Sequence, residues 1–117
     1  MWEMKLKKNL RDYRTGGIGA LLDEYERAIF ELKTIVQNAG EENYVKIADA
    51  ETENEECRSI QTMMSHVVDA GYAYSNNIRK VISKNGESYQ FTIIDYENFG
   101  REIDKMFDYQ LETLKEK

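Results

Sequence analysis

Ser59-Ile-Gln-Thr-Met-Met-Ser-His-Val-Val-Asp-Ala-Gly-Tyr-Ala-Tyr74 is the stretch whose reading decides the fold. Apolar side chains fall at Ile60, Met63, Met64, Val67, Ala70, Gly71 and Tyr74 and go on at Ile78, Val81 and Ile82. Spacings of three and four are the α-helical period. The chain contains no proline, so no missing amide forces a break. A helix is predicted from about Cys57 to Lys84, stopped by the turn chemistry of Asn85-Gly86. Gly71 costs about 1 kcal/mol relative to alanine inside a helix. Close approach of a neighbouring helix or a ligand is the expected compensation.

His66, the chain's only histidine, lies in the middle of this stretch. Imidazole is a common ligand for zinc and nickel, and Asp69 places a carboxylate about one helical turn away. One histidine does not close a metal site. Zinc takes three or four protein ligands, and the others would have to be Asp, Glu, the single Cys57 or groups from another subunit. Read from the residues alone, His66 is a packed or hydrogen-bonded side chain before it is a ligand.

Toward the N-terminus, Ile18, Leu21, Leu22, Tyr25, Ile29, Leu32, Ile35 and Val36 predict a first helix over 17–39. Thr15 suits its N-cap and Gly40 its stop. Gly16-Gly17-x-Gly19 lacks the Lys-Ser/Thr of a phosphate loop and reads as a flexible lead-in. The connection from Glu41 to Glu56 is acidic at Glu51, Glu53, Glu55 and Glu56. Without the ligand alternation and glycine of a calcium loop, it reads as solvated chain. Tyr44, Val45 and Ile47 are expected to pin part of it to the bundle. Cys57 has no second histidine to act as its base, so it is not read as a nucleophile.

Toward the C-terminus, Tyr89, Phe91 and Ile93 alternate as in a strand. No partner strand is evident, so an extended connector packed on the helices is predicted. A third helix follows from about Asp95, its N-cap, to Lys115, with Phe99, Ile103, Met106, Phe107, Leu111 and Leu114 as its stripe. Asp104, Asp108 and Glu112, spaced four apart, read as a solvated outer face rather than a metal row.

The 117 residues suit one domain, spanning 1–117, and 32% charged residues describe a globular chain. With a net charge of −6 and no dominating cluster of Lys and Arg, no nucleic-acid partner is expected. Lys5, Lys7, Lys8, Arg11 and Arg14 read as a solvated N-terminal face. No apolar run is long enough to span a bilayer, so no membrane partner is expected. The charged start leads into Asn9-Leu-Arg-Asp-Tyr13 rather than an apolar leader core. A lone cysteine fits a reducing compartment, and a cytoplasmic location is expected.

Thr15-Gly-Gly-Ile-Gly-Ala-Leu-Leu-Asp-Glu-Tyr25 resembles the opening of the first bundle helix in DinB-like proteins, a damage-inducible, metal-binding superfamily. Ser59-Ile-Gln-Thr-Met-Met-Ser-His-Val-Val-Asp-Ala70 resembles that family's second helix, where a histidine is the first metal ligand. The long first connection and the extended segment before the third helix agree. The resemblance covers most of the chain. It implies an all-α, antiparallel four-helix bundle with a long crossover and His66 in the first-ligand position. Family members usually add two histidines, four residues apart, from a fourth helix that this sequence does not contain. The form is either truncated or reduced, or a partner chain supplies the missing layer.

Two functions follow from that resemblance. One is a DinB-like domain with an incomplete or degenerate metal site, acting in binding or assembly. The other is a metal-dependent transferase or hydrolase for a small molecule, its remaining ligands supplied elsewhere. Whether the chain is an enzyme stays open. No cofactor is expected in this chain alone, and zinc or nickel only if the site is completed. Leu21, Tyr25, Leu32, Met63, Val67, Tyr74, Ile78, Ile103, Phe107 and Leu111 are expected to be buried. Three broad stripes leave a groove for a fourth helix, so a homodimer that covers it is expected, with the third helix contributing.

Overall fold

The computed structural model describes residues 16–47, 51 and 58–114. Three helices account for most of them: α1 Gly16–Val45, α2 Ile60–Val81 and α3 Tyr96–Leu114. No strand occurs among the described residues. Thr15 and Cys57 lie outside them.

Gly40 breaks α1 where expected, with φ 80° and ψ 165°. One further helical turn follows and carries Tyr44 into the core. The Tyr44 hydroxyl donates to the Ile94 carbonyl at 2.8 Å, and its ring meets Tyr96 edge-on at 5.6 Å. Tyr44 alone does the pinning expected of three residues, since Val45 and Ile47 are exposed.

The second helix starts at Ile60, three residues later than the expected Cys57. Ser59 caps it: its hydroxyl accepts from the Thr62 amide at 3.0 Å, and the Thr62 hydroxyl accepts from the Ser59 amide at 3.0 Å. Two first-turn donors are thereby satisfied reciprocally.

The segment after α2 is an extended connector that runs back along it. Asn76 donates to the Glu87 carbonyl at 2.9 Å, Tyr72 stacks on Tyr89 at 4.2 Å, and the Ser65 hydroxyl accepts from the Ile94 amide at 3.0 Å. Extended chain advances ~3.3 Å per residue against ~1.5 Å in a helix. A short connector therefore returns the chain to the start of α2.

As a result α2 and α3 run parallel, which departs from the near-antiparallel arrangement expected of all three helices. Gln61 reaches the Ile94 carbonyl just before α3, Gly71 faces Met106, and Arg79 meets Thr113 near the end of α3. By contrast α1 is antiparallel to α3. Tyr96 donates to the Gln37 carbonyl at 3.3 Å, and Lys33 reaches Asp104 at 3.0 Å.

Leu22, Ile29, Val36 and Tyr44 of α1 form the core with Val68, Ile94, Phe99, Ile103, Met106 and Phe107. The expected core is thus only partly the real one. Ile103 and Phe107 are buried, and Leu32, Val67 and Leu111 are partly buried. Leu21, Tyr25, Met63, Tyr74 and Ile78 are exposed, Tyr74 by 67%. The reason is packing distance. Toward α3, α2 presents Ser65, Val68, Gly71, Ser75 and Arg79. Small residues there let two backbones approach. A Cβ added at Gly71 would sit 2.2 Å from Met106 Sδ. The large apolar side chains of α2 lie to the side of that contact.

Candidate functional site

His66 occupies the face of α2 that the connector covers, not the bundle interior. It is half-buried, and its ring stacks on Phe91 at 4.4 Å with an interplanar angle of 27°. Further along α2, Tyr72 stacks on Tyr89 and packs at a tilt against Tyr109. No three His, Cys, Asp or Glu side chains among the described residues come together as a metal-binding group. The described residues alone therefore do not supply, around His66, the donor set that the family resemblance implies.

The carboxylate row on α3 divides. Asp104 pairs through both oxygens with Lys33, an amine buried to 6% exposure, at 3.1 and 3.0 Å. Its exposed successors Asp108 and Glu112 border a cleft of about 280 Å³ together with Tyr72, Glu87, Lys105 and Tyr109.

Beneath that cleft lies a cluster that the apolar pattern does not reveal. Tyr109 Oη donates to Asn76 Oδ1 at 2.5 Å and accepts from the Glu87 amide at 2.7 Å. The buried Arg79 guanidinium lies 4.0 Å above the Tyr109 ring. It donates to Thr113 Oγ1 at 2.7 Å and to the Asn85 carbonyl at 2.8 Å. Among the described residues no carboxylate pairs with it. Carbonyl dipoles, a hydroxyl and a π face carry its charge instead. The series Gly71, Ser75, Arg79, spaced four apart, is the one sequence signal of this face. Burial raises the Tyr72 and Tyr89 phenols above the usual tyrosine range, and the Glu102 charge adds to both shifts. These groups clamp the end of α2, the connector and α3 together.

Apolar side chains also lie exposed on α1 and α2. Beside its buried row, α1 carries a second one: Ile18, Leu21, Tyr25, Ala28, Leu32, Ile35. Beside its small-residue face, α2 carries Ile60, Met63, Val67, Ala70 and Tyr74, with Val81 further on. Both rows step by threes and fours, the spacing of a helix–helix seam. Ile18, Leu21, Tyr25 and Ile35 are exposed on α1, as are Met63, Tyr74, Ile78 and Val81 on α2. The buried faces of both helices point at α3, so these rows border the side away from it. The open apolar face thus belongs to α1 and α2. The third helix, expected to share it, is spent on the core through Phe99, Ile103, Met106 and Phe107.

No helix among the described residues is long and apolar enough to cross a membrane. No family model, no curated protein and no solved structure matches this chain.

Proposed function

We propose that the chain is a binding or assembly module, a DinB-like domain with an incomplete metal site, whose α1/α2 face accepts one further amphipathic helix. The observation that carries this reading is the set of exposed apolar side chains on two helices, Ile18, Leu21, Tyr25 and Ile35 of α1 and Met63, Tyr74, Ile78 and Val81 of α2. Helix-in-groove recognition uses apolar anchors of this kind. A second copy of the chain, which offers the same rows, is one such partner. A transferase or hydrolase acting through metal would need ligands from beyond the described residues.

The test combines Tyr74→Glu with Val81→Glu, two exposed positions where a charge leaves the core intact. Loss of self-association, or of binding of an apolar dye, with circular dichroism unchanged is the expected result. Indifference of both to the double substitution would overturn the reading. Metal analysis after dialysis tests the incomplete site. Stoichiometric zinc or nickel that is lost in His66→Ala would show the site to be complete.

A further inference from the structure

We propose that Asn85-Gly86 is a site of self-modification, at which the buried Arg79 guanidinium promotes conversion of Asn85 to isoaspartate with loss of ammonia. This goes beyond the reading of the α1/α2 face and does not depend on it.

Three observations meet at this dipeptide. The first is its freedom. Asn85 and Gly86 are exposed and lie outside regular structure. Among the described residues, neither the Asn85 side-chain amide nor the Gly86 amide nitrogen has a hydrogen-bond partner. The chain is pinned on either side of them. The Lys84 amide donates to the Arg79 carbonyl at 2.8 Å, and the Glu87 amide to Tyr109 Oη at 2.7 Å. The two groups left loose are the two that must meet, the Gly86 nitrogen and the Asn85 side-chain amide carbon.

The second observation is the cation. Arg79 Nη1 donates to the Asn85 backbone carbonyl oxygen at 2.8 Å. That oxygen is conjugated with the Gly86 nitrogen through the peptide bond. When the nitrogen gives up its proton, the charge it gains is shared with the oxygen that Arg79 holds. The guanidinium therefore stabilises the attacking anion as an oxyanion donor would. It is fixed for that task by Thr113 Oγ1 at 2.7 Å and by the Tyr109 ring at 4.0 Å.

The third is the glycine. A Cβ at position 86 would lie 2.7 Å from Asn76 Oδ1. A side chain after an asparagine hinders ring closure, and the packing against Asn76 disfavours one here. The fold thus favours the residue that leaves Asn85 open to attack.

The Gly86 nitrogen, its proton lost to water, bonds to Asn85 Cγ. The Cγ–Nδ2 bond breaks and ammonia leaves, closing a five-membered succinimide. Water then adds to the Asn85 backbone carbonyl carbon, which Arg79 polarises. The bond from that carbon to the Gly86 nitrogen breaks, and the nitrogen takes up a proton. The chain now runs through Cγ, and the former carbonyl is a free carboxylate. One water is consumed, one ammonia is released, and nothing is oxidised or reduced. The product gives the Arg79 guanidinium a carboxylate at the atom it already holds.

The test is the rate of this conversion at neutral pH, followed by mass spectrometry of digested protein as NH₂ is replaced by OH. The folded chain is compared with a peptide of residues 81–89. A hydrogen bond to a charged group is worth about tenfold or more in rate. Asn85 in the folded chain should therefore convert about tenfold faster than in the peptide, with a larger isoaspartate share. Arg79→Met should remove both effects, and Asn85→Gln should abolish the mass change. Thr113→Val, which takes away one anchor of the guanidinium and keeps the side-chain shape, is the milder variant and should lower the rate in the same direction. Conversion in the folded chain no faster than in the peptide overturns the proposal. So does fast conversion that Thr113→Val, or Arg79→Met with circular dichroism unchanged, leaves as it was, since Asn85 would then react without help from the cation.

Discussion

At the scale of single residues, Gly71 is the most exacting position. A methyl group there would lie 2.2, 2.6 and 2.8 Å from Sδ, Cγ and Cε of Met106, whose own exposure is 4%. Alanine gains up to about 1 kcal/mol of helix propensity, whereas overpacking a core costs about 1–3 kcal/mol. Gly71→Ala should therefore lower stability by about 1 kcal/mol in urea titration, and Met106→Ala in the same chain should remove the clash, giving a favourable coupling energy. Tyr44 makes a different demand. Burial raises its phenol above the usual range, and the nearby Asp95 charge adds to the shift. A folded-state pKa above the unfolded value near ~10 means that Tyr44 supports folding fully below pH ~10 and loses that support as pH rises further. Tyr44→Phe should cost about 1 kcal/mol at pH 7 for the lost hydrogen bond. It should also flatten the fall in Tm above pH ~10, as thermal melts from pH 8 to 11 would show. A parallel fall in both proteins would assign the alkaline limb to other tyrosines.

At the scale of elements, α2 owes its start to Ser59 and Thr62 rather than to its apolar period. Ser59→Ala should destabilise by about 1 kcal/mol, and Ser59→Asp should be nearly neutral, since both serine and aspartate accept the first-turn amide. The connector is held at few points. Its Glu87 amide donates to Tyr109 Oη and its Ile94 amide to Ser65 Oγ. Hydrogen exchange should protect those two amides, while the amides of Gln90, Phe91 and Thr92 exchange fast. Uniform protection across the connector would mean that backbone pairing, not side-chain pinning, holds it.

At the scale of the molecule, one side chain joins three elements. Arg79 leaves α2, bonds the connector at Asn85 and α3 at Thr113, and covers the Tyr109 ring. Hydrogen bonds to charged groups contribute about 1.5–3 kcal/mol each. Arg79→Met should therefore cost roughly 3 kcal/mol by urea titration. Arg79→Lys should recover little of it, because an ammonium lacks the planar fork that reaches both partners. Full recovery by lysine would show that charge alone matters. On the opposite side, Lys33 and Asp104 tie α1 to α3 and set the register in which Leu22, Ile29 and Val36 are buried.

Helix number and type were legible from periodicity, since spacings of three and four over long proline-free stretches leave no other regular structure. Gly40 as a break, the extended connector and Gly71 as a point of close approach were legible too, because glycine and alternation have local physical meaning. Which apolar row would be buried was not. In α1, Leu22, Ile29 and Val36 lie next to Ile18, Leu21, Tyr25 and Ile35, and hydrophobicity ranks the two rows alike. In α2 the period followed the large side chains, while burial went to Ser65, Gly71, Ser75 and Arg79. A sequence states how apolar a face is. How near another helix can come, and what hydrogen bonds await a buried serine or arginine, exist only once the partner is in place. For the same reason His66 could be named as a donor from the sequence, whereas its placement against Phe91 on the connector side was decided by tertiary structure alone.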